Sequence, residues 1–217
     1  MSTPPFGTVL LDLDGTVIDS VALIRESHRH AVREVLGEEW DDERLVRNVG
    51  RPLLEQMQVF SPAHADELYR VYRTWNHANT AALLLPYPGM EPLLAGLREA
   101  GVALGIVTSK SRDAVELAWA SLPLAHLFDV VVTSDDSTEH KPHPGPVLHA
   151  LDALGAAPGS ACYVGDAPFD IRAGRAAGVA TVAVTWGFFA RPLLDAERPD
   201  LVAESVDELG ALLLPAA

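Results

Sequence analysis

The chain has 217 residues, with 16 Lys or Arg against 30 Asp or Glu and a formal charge of −14. That length allows one domain carrying a modest insert, and a 48% hydrophobic composition provides for a sizeable core. Acidity without a basic block argues against nucleic acid or anionic lipid as partner, and no apolar run approaches the roughly 18 residues of a membrane span. The single cysteine, Cys162, excludes an intrachain disulfide framework and fits a reducing compartment. The start, Met1-Ser2-Thr3-Pro4-Pro5, lacks a cationic and then apolar stretch, so no signal peptide is expected and the expected location is cytoplasmic.

In chain order, β-branched runs predict strands at residues 8–13, 102–107, 130–133, 161–164 and 179–184. Amphipathic stretches at 114–122, 146–154 and 170–177 predict helices between the later ones. Near-continuous apolar strands separated by helices indicate a doubly wound parallel sheet, an α/β fold of the Rossmann-like kind. Residues 19–85 contain no strand-like run. Ile24, His28, Ala31 and Val35 fall at helical spacing, and Gly37 is placed to stop that helix. A second long helix is expected from residue 62 to about 82, with Ser61 as its cap. This reading gives a core of 1–18 and 86–217 and a helical insert, 19–85, after the first strand.

In parallel sheets ligands bind beyond the carboxyl ends of the strands, so the residues that follow each run carry the most information. After the first strand come Asp12-Leu13-Asp14-Gly15-Thr16, two carboxylates whose closeness is costly unless a cation or proton lies between them. After the second come Thr108-Ser109-Lys110, and after the third Lys141, in a proline-stiffened and extended Lys-Pro-His-Pro segment. After the fourth come Gly165-Asp166-Ala167-Pro168-Phe169-Asp170, where Pro168 suits a first helical turn. The four-residue spacing lets Asp166 and Asp170 face one point. Taken singly, these also read as an Asx-turn, a helix cap, a solvated lysine and dipole-favouring acids. Their joint order is what is specific, because all four should converge on one edge of the sheet.

Of the 16 cations only Lys110 and Lys141 are lysine; the rest are arginine. Lysine is a compact point charge where arginine is a planar fork, and a cramped phosphate pocket favours the former. His140, His143 and His149 crowd Lys141 but match no zinc spacing. Cys162 reads as inert core, and Trp119, Trp186, Phe188 and Phe189 as packing residues.

With these motifs the chain resembles the haloacid dehalogenase-like phosphohydrolases, within them the phosphoglycolate-phosphatase-like group with a helical cap. The most specific piece is Asp12-Leu13-Asp14-Gly15-Thr16-Val17-Ile18-Asp19-Ser20; Gly165 to Gly178 and Thr185-Trp186-Gly187 add to it. Ala167-Pro168 departs from the pattern, since many relatives carry a small hydroxyl residue after the motif aspartate. The resemblance implies Asp12 as a nucleophile that becomes an aspartyl phosphate, and Asp14 as the acid and then the base. It implies Thr108, Ser109, Lys110 and Lys141 as binders of the transferring phosphoryl group. Mg²⁺ would be held by Asp12, Asp166, Asp170 and the main-chain carbonyl of Asp14.

The insert would be a lid, and its Gly50-Arg51-Pro52 loop would bring Arg51 to a substrate carboxylate; Arg47 and His77 are weaker candidates. The expected activity is hydrolysis of a small phosphorylated metabolite, phosphoglycolate first, by a monomer or homodimer. A sugar-phosphate mutase and a pyrophosphatase share the motifs. A dehalogenase has no use for Asp14. A receiver-like module, from another class, places its phospho-acceptor after a middle strand and has no room for the insert. A catalytically silent phosphate-binding protein would leave some chemical positions unfilled, and here all are filled.

Overall fold

The computed structural model describes residues 4–214; Met1 to Thr3 at the start and residues 215–217 at the end lie outside it. The elements run β1 (Thr8–Leu11), β2 (Ile18–Asp19), α1 (Val21–Leu36), α2 (Asp42–Val46), α3 (Leu53–Phe60), α4 (Ala65–Leu83) and β3 (Leu85–Pro86). They continue with α5 (Met90–Glu99), β4 (Ala103–Val107), α6 (Arg112–Ser121), β5 (Val130–Val132), α7 (Gly145–Leu154) and β6 (Ala161–Gly165). The chain closes with α8 (Pro168–Ala177), β7 (Ala180–Val184), α9 (Arg191–Asp195), β8 (Leu201–Ala203) and α10 (Val206–Leu213).

Six parallel strands lie in the order β5-β4-β1-β6-β7-β8. The chain winds outward from β1 through β4 to β5, then crosses β1 and winds the other way, so β1 sits at the switch point where crevices form. Its side chains alternate between two cores. Val9 and Leu11 join Leu94 and Leu97 of α5 and Val115 of α6 on one face. Leu10 joins Val147 and Leu151 of α7 and Ala173 of α8 on the other. Burial on both faces is the reason the strand is apolar throughout.

Three expectations need correction. The first strand ends at Leu11, not residue 13, because the Leu13 carbonyl is taken by the amides of Val17 and Ile18 in a tight turn. The segment 19–85 is not free of strand: β2 pairs antiparallel with β3 where the chain leaves and rejoins the sheet region. The second long helix opens with a 3-10 turn at Pro62–His64 before α4, and the Ser61 hydroxyl meets His64 Nδ1 (3.0 Å) instead of capping an amide.

The helices α1 to α4 enclose apolar clusters separate from those of the sheet, with Ala31, Met57, Leu68 and Tyr72 in one and Val32, Trp40 and Leu45 in another. Gly37 does end α1, in the left-handed conformation that glycine adopts without strain. No helix among the described residues is long and apolar enough to cross a membrane.

Candidate active site

The four strand-end motifs meet at the carboxyl edge of β1. Asp12 follows β1 directly and its amide donates to the Val164 carbonyl (2.8 Å), which fixes it between β4 and β6. Thr108 follows β4 and its amide donates to the Val132 carbonyl (2.9 Å). Asp166 follows β6. Asp170 sits in the first turn of α8, where its Oδ2 accepts from the Ala167 amide (3.0 Å). A β-carbon on Gly165 would stand 2.4 Å from Asp170 Cβ, so glycine here is the condition for that approach. Lys141 lies in a turn ahead of α7, not in the extended segment expected from its prolines, and that turn carries its side chain inward.

Asp12, Asp166 and Asp170 each place a carboxylate oxygen within 4.8 Å of the others, and all three are buried. Lys141, 3% exposed, is the ammonium among them: Nζ lies 2.7 Å from Asp170 Oδ1, 3.0 Å from Asp12 Oδ1 and 3.2 Å from the Tyr163 hydroxyl. Three carboxylates against one ammonium leave two negative charges uncompensated. Burial pushes the Asp12 carboxyl up to about 7, Lys141 opposing and the Asp170 and Asp14 charges adding to it. Burial, with the charges of Asp170 and Asp12, holds Asp166 well above its ordinary value. Desolvation opposes the charge on Lys141, but Asp12 and Asp170 outweigh it and keep that ammonium above its usual range.

Asp12 Oδ1 is buried, and the ammonium it faces at 3.0 Å is shared with Asp170. An all-oxygen donor set in which three carboxylates face one ammonium fits a hard divalent cation such as Mg²⁺, and does not fit zinc, which favours nitrogen and sulfur.

This electrostatic state has a measurable consequence. Because the folded Asp12 pKa lies above its unfolded value, this carboxyl holds more of its proton in the folded state between about pH 4 and 7, whereas His28, pushed down to about 3 by burial, holds less of its own over much of that range. In metal-free protein the Asp12 contribution to stability is therefore lost as pH rises through that window, and because His28 titrates alike with and without a cation, the difference a cation makes isolates it. The Thr181 amide and hydroxyl hold Asp200 below its ordinary value, so its contribution is lost only below about pH 4, outside the window. A divalent cation takes the place of the protons. Thermal melts with EDTA and with Mg²⁺ should differ more at about pH 7.5 than at about pH 5. A difference independent of pH would contradict this charge balance.

A second pair lies beside the first, with Lys110 Nζ 2.9 and 3.0 Å from the two carboxylate oxygens of Asp14. Both lysines of the chain are thus at this edge, each against acids. Asp12, Asp14, Thr108, Ser109 and Lys110 form one wall of a cavity of about 180 Å³. The opposite wall comes from the helical segment, including Arg51, Gln56, Arg73 and His77. Arg51 Nε, Gln56 Oε1 and His77 Nε2 are buried there without partners, so this wall holds polar capacity that the protein itself does not satisfy. The walls are tied together: the Ser109 hydroxyl donates to the Gly50 carbonyl (2.7 Å), and Arg73 of α4 pairs with Asp113 of α6.

Some expected residues are placed otherwise. Lys141 and Asp170 do not line the cavity but lie behind Asp12, bonded to one another. Ser109 commits its hydroxyl hydrogen to Gly50. Arg47 is exposed and outside the cavity, while His77 lines it. His143 and His149 are exposed, and the aspartate trio is the only cluster of potential metal ligands among the described residues. Cys162 is buried in β6, where desolvation raises its thiol pKa, in keeping with an inert core residue.

Sequence reasoning passed over two supports. Tyr163 of β6 is fully buried, with its hydroxyl 2.8 Å from the Val107 carbonyl and 3.1 Å from Asp170 Oδ1. Its one visible signal was a polar-tipped aromatic in an apolar strand. Thr16 and the Phe188 amide both donate to Asp166 (3.2 and 2.7 Å), and a main-chain donor leaves no trace in composition.

Comparison with known proteins points to one family. Residues 9–184 match the haloacid dehalogenase-like hydrolase family. Pyrophosphatase PpaX of Bacillus pumilus is 35% identical over 213 residues, 98% of this chain and 99% of that protein. Pyrophosphatase PpaX of Anoxybacillus flavithermus is 36% identical over 206 residues, 95% of this chain and 96% of its own. Among solved structures, the haloacid dehalogenase-like family hydrolase SP0104 of Streptococcus pneumoniae superposes with a TM-score of 0.84 at 28% identity, covering 95% of this chain and 98% of that one.

Proposed function

Because the chain belongs to the haloacid dehalogenase-like hydrolases, with pyrophosphatases among its relatives, we propose that it is a Mg²⁺-dependent phosphohydrolase working through an aspartyl phosphate on Asp12. The carrying observation is the buried Asp12 carboxylate among Asp166, Asp170 and Lys141, with Asp14 beside it on the cavity wall. The Asp12 carboxylate attacks phosphorus as the bond to the leaving oxygen breaks, and Asp14 gives that oxygen its proton. Water then attacks the phosphorus of the aspartyl phosphate, Asp14 takes the water's proton, and phosphate leaves with Asp12 restored. A carboxylate nucleophile divides the hydrolysis into two easier displacements. The carboxylates of Asp12, Asp166 and Asp170 and the Asp14 main-chain carbonyl would hold the cation. When bound it supplies positive charge against the phosphoryl oxygens. Thr108 and neighbouring amides orient those oxygens, and Lys141 offsets their charge from behind Asp12.

In this reading residues 19–85 are a cap over a core of 1–18 and 86–217, and the cap wall reads the leaving group. That wall carries Arg51, whose Nε has no partner, while Arg73 is paired with Asp113 and Lys110 opposite is paired with Asp14, so Arg51 is the cation offered to an anionic leaving group. Inorganic pyrophosphate, whose leaving group is a second phosphate, suits it and accords with the relatives' names. Phosphoglycolate, whose leaving group carries a carboxylate, is the next substrate to measure.

Purified protein should release phosphate from pyrophosphate with Mg²⁺ and lose that activity in EDTA. No release from pyrophosphate or from a broad panel of phosphate esters would overturn the reading, and an isomeric phosphate without free phosphate would identify a mutase. Arg51→Ala should raise KM for pyrophosphate and phosphoglycolate by roughly 10-fold or more, the worth of a charge-assisted hydrogen bond, and for neutral sugar phosphates much less. Equal changes across the three would remove Arg51 from recognition.

A further inference from the structure

The motif Thr185-Trp186-Gly187 and the residue after it form a turn beyond β7 that supplies no side chain to the cavity, yet it is built around one carboxylate. The Phe188 amide donates to Asp166 Oδ2 (2.7 Å), while the Thr16 hydroxyl donates to Asp166 Oδ1 (3.2 Å) from the other side. The turn is fastened to the same loop as Thr16, because the Trp186 indole N–H donates to the Thr16 carbonyl (3.2 Å). A third tie comes from Tyr87, whose hydroxyl donates to the Trp186 carbonyl (3.3 Å) and whose ring meets the indole edge-on. Gly187 lies against the carboxylate so closely that a β-carbon there would stand 2.1 Å from Asp166 Oδ2. Only a residue without a side chain lets the turn deliver its amide at that distance.

We propose that the Trp186–Phe188 turn and Thr16 form a positioning clamp that sets the affinity of the site for Mg²⁺ by holding Asp166 in place. Asp12, Asp166 and Asp170 repel one another in a buried setting, and Asp170 is already held by Lys141 and the Ala167 amide. Asp166 has no cation of its own within ion-pair distance among the described residues; its constraints are the two donors of the clamp. Releasing either donor lets the carboxylate turn from its neighbours, and the cation then has to reorder it on binding. Supports of this kind typically contribute 10–100-fold to metal affinity. The clamp acts through Asp166 and does not touch substrate, so its loss should weaken the cation's hold and leave turnover at saturating Mg²⁺ nearly unchanged.

The inference rests on the proposed Mg²⁺ site, and the test separates the two. Calorimetric titration with Mg²⁺ is run on the unaltered protein and on Asp166→Asn, Gly187→Ala, Thr16→Val and Thr16→Ser. The expected result is a Kd raised roughly 10–100-fold in Gly187→Ala and Thr16→Val, near normal in Thr16→Ser, and raised most in Asp166→Asn. In the first two, kcat should recover as Mg²⁺ is raised. If the unaltered protein binds no Mg²⁺, or Asp166→Asn binds it as tightly, the metal site itself is wrong. If Asp166→Asn weakens binding while Gly187→Ala and Thr16→Val bind normally, the site stands and the clamp is overturned. Should Gly187→Ala fail to fold, Thr16→Val decides, with Trp186→Phe as a milder variant that removes only the indole donor.

Discussion

Asp12→Asn is expected to reduce turnover by on the order of 10³-fold or more while leaving the fold intact, because it removes the nucleophile and keeps the side chain's shape. Its effect on stability should be the reverse of an ordinary active-site lesion. Asp12 is 4% exposed, and burial raises its carboxyl to about 7, so at neutral pH the surroundings disfavour the charge it bears. A neutral amide removes that cost. In EDTA the melting temperature should stay level or rise, and the gain from added Mg²⁺ should shrink because one donor has become neutral. Circular dichroism melts with and without Mg²⁺, beside a phosphate-release assay, check all three points. Surviving activity would require another nucleophile, and a large fall in melting temperature would show that the acid is structural.

Lys141→Met should have the largest effect on stability. Lys141 is the one ammonium facing Asp12 and Asp170, and removing one member of a buried ionic group typically costs about 3–5 kcal/mol because the partner charges are left exposed to each other. For a chain of this size that is a fall of roughly 6–20 °C in melting temperature. The acids can relieve the loss by taking up protons, so the fall should be smaller at about pH 5 than at about pH 7.5. Mg²⁺ should restore part of it. Activity should drop by roughly 10²–10³-fold, the usual effect of losing one preorganised group that faces the developing charge. A variant that melts like the unaltered protein would mean that the ammonium is not what holds the acids together.

Much of this site was legible in the amino-acid order. The strand-end rule located Asp12, Thr108, Lys141 and Asp166, because an apolar strand buried on both faces is conspicuous and ends where its polar residue begins. The two lysines were legible for a different reason: in a chain that otherwise uses arginine, both sit buried or half-buried against acids. What stayed hidden depends on distance in sequence or on main-chain atoms. The Phe188 amide meets Asp166 across 22 positions, and Tyr163 supports Lys141 from inside a strand that reads as plain core. The short ribbon of β2 and β3 was missed because two-residue strands carry no periodicity. The five-residue α2 is likewise too short for a period to show, and α5 and α10 carry none of the strand-end motifs. The turn at Lys141 misled, since a proline-rich stretch reads as extended while the structure folds it inward.

The wall formed by the helical segment is where the sequence said least. Arg51 was visible beside a glycine and a proline, but nothing local tied it to Gln56, Arg73 and His77 as one polar surface. That grouping follows from the packing of α3 and α4 against each other, which sequence periodicity suggests only loosely.

The central claim is that Asp12 carries the phosphoryl group, and the most direct measurement is to stop the reaction in acid within the first turnover and map the label. Protein mixed with ³²P-pyrophosphate and Mg²⁺ is quenched, digested and sequenced by mass spectrometry. Phosphate on the peptide containing Asp12, absent from Asp12→Asn and from EDTA-treated protein, is the expected result. Phosphate on a different residue would contradict the claim, as would rapid hydrolysis with no labelled peptide at any quench time.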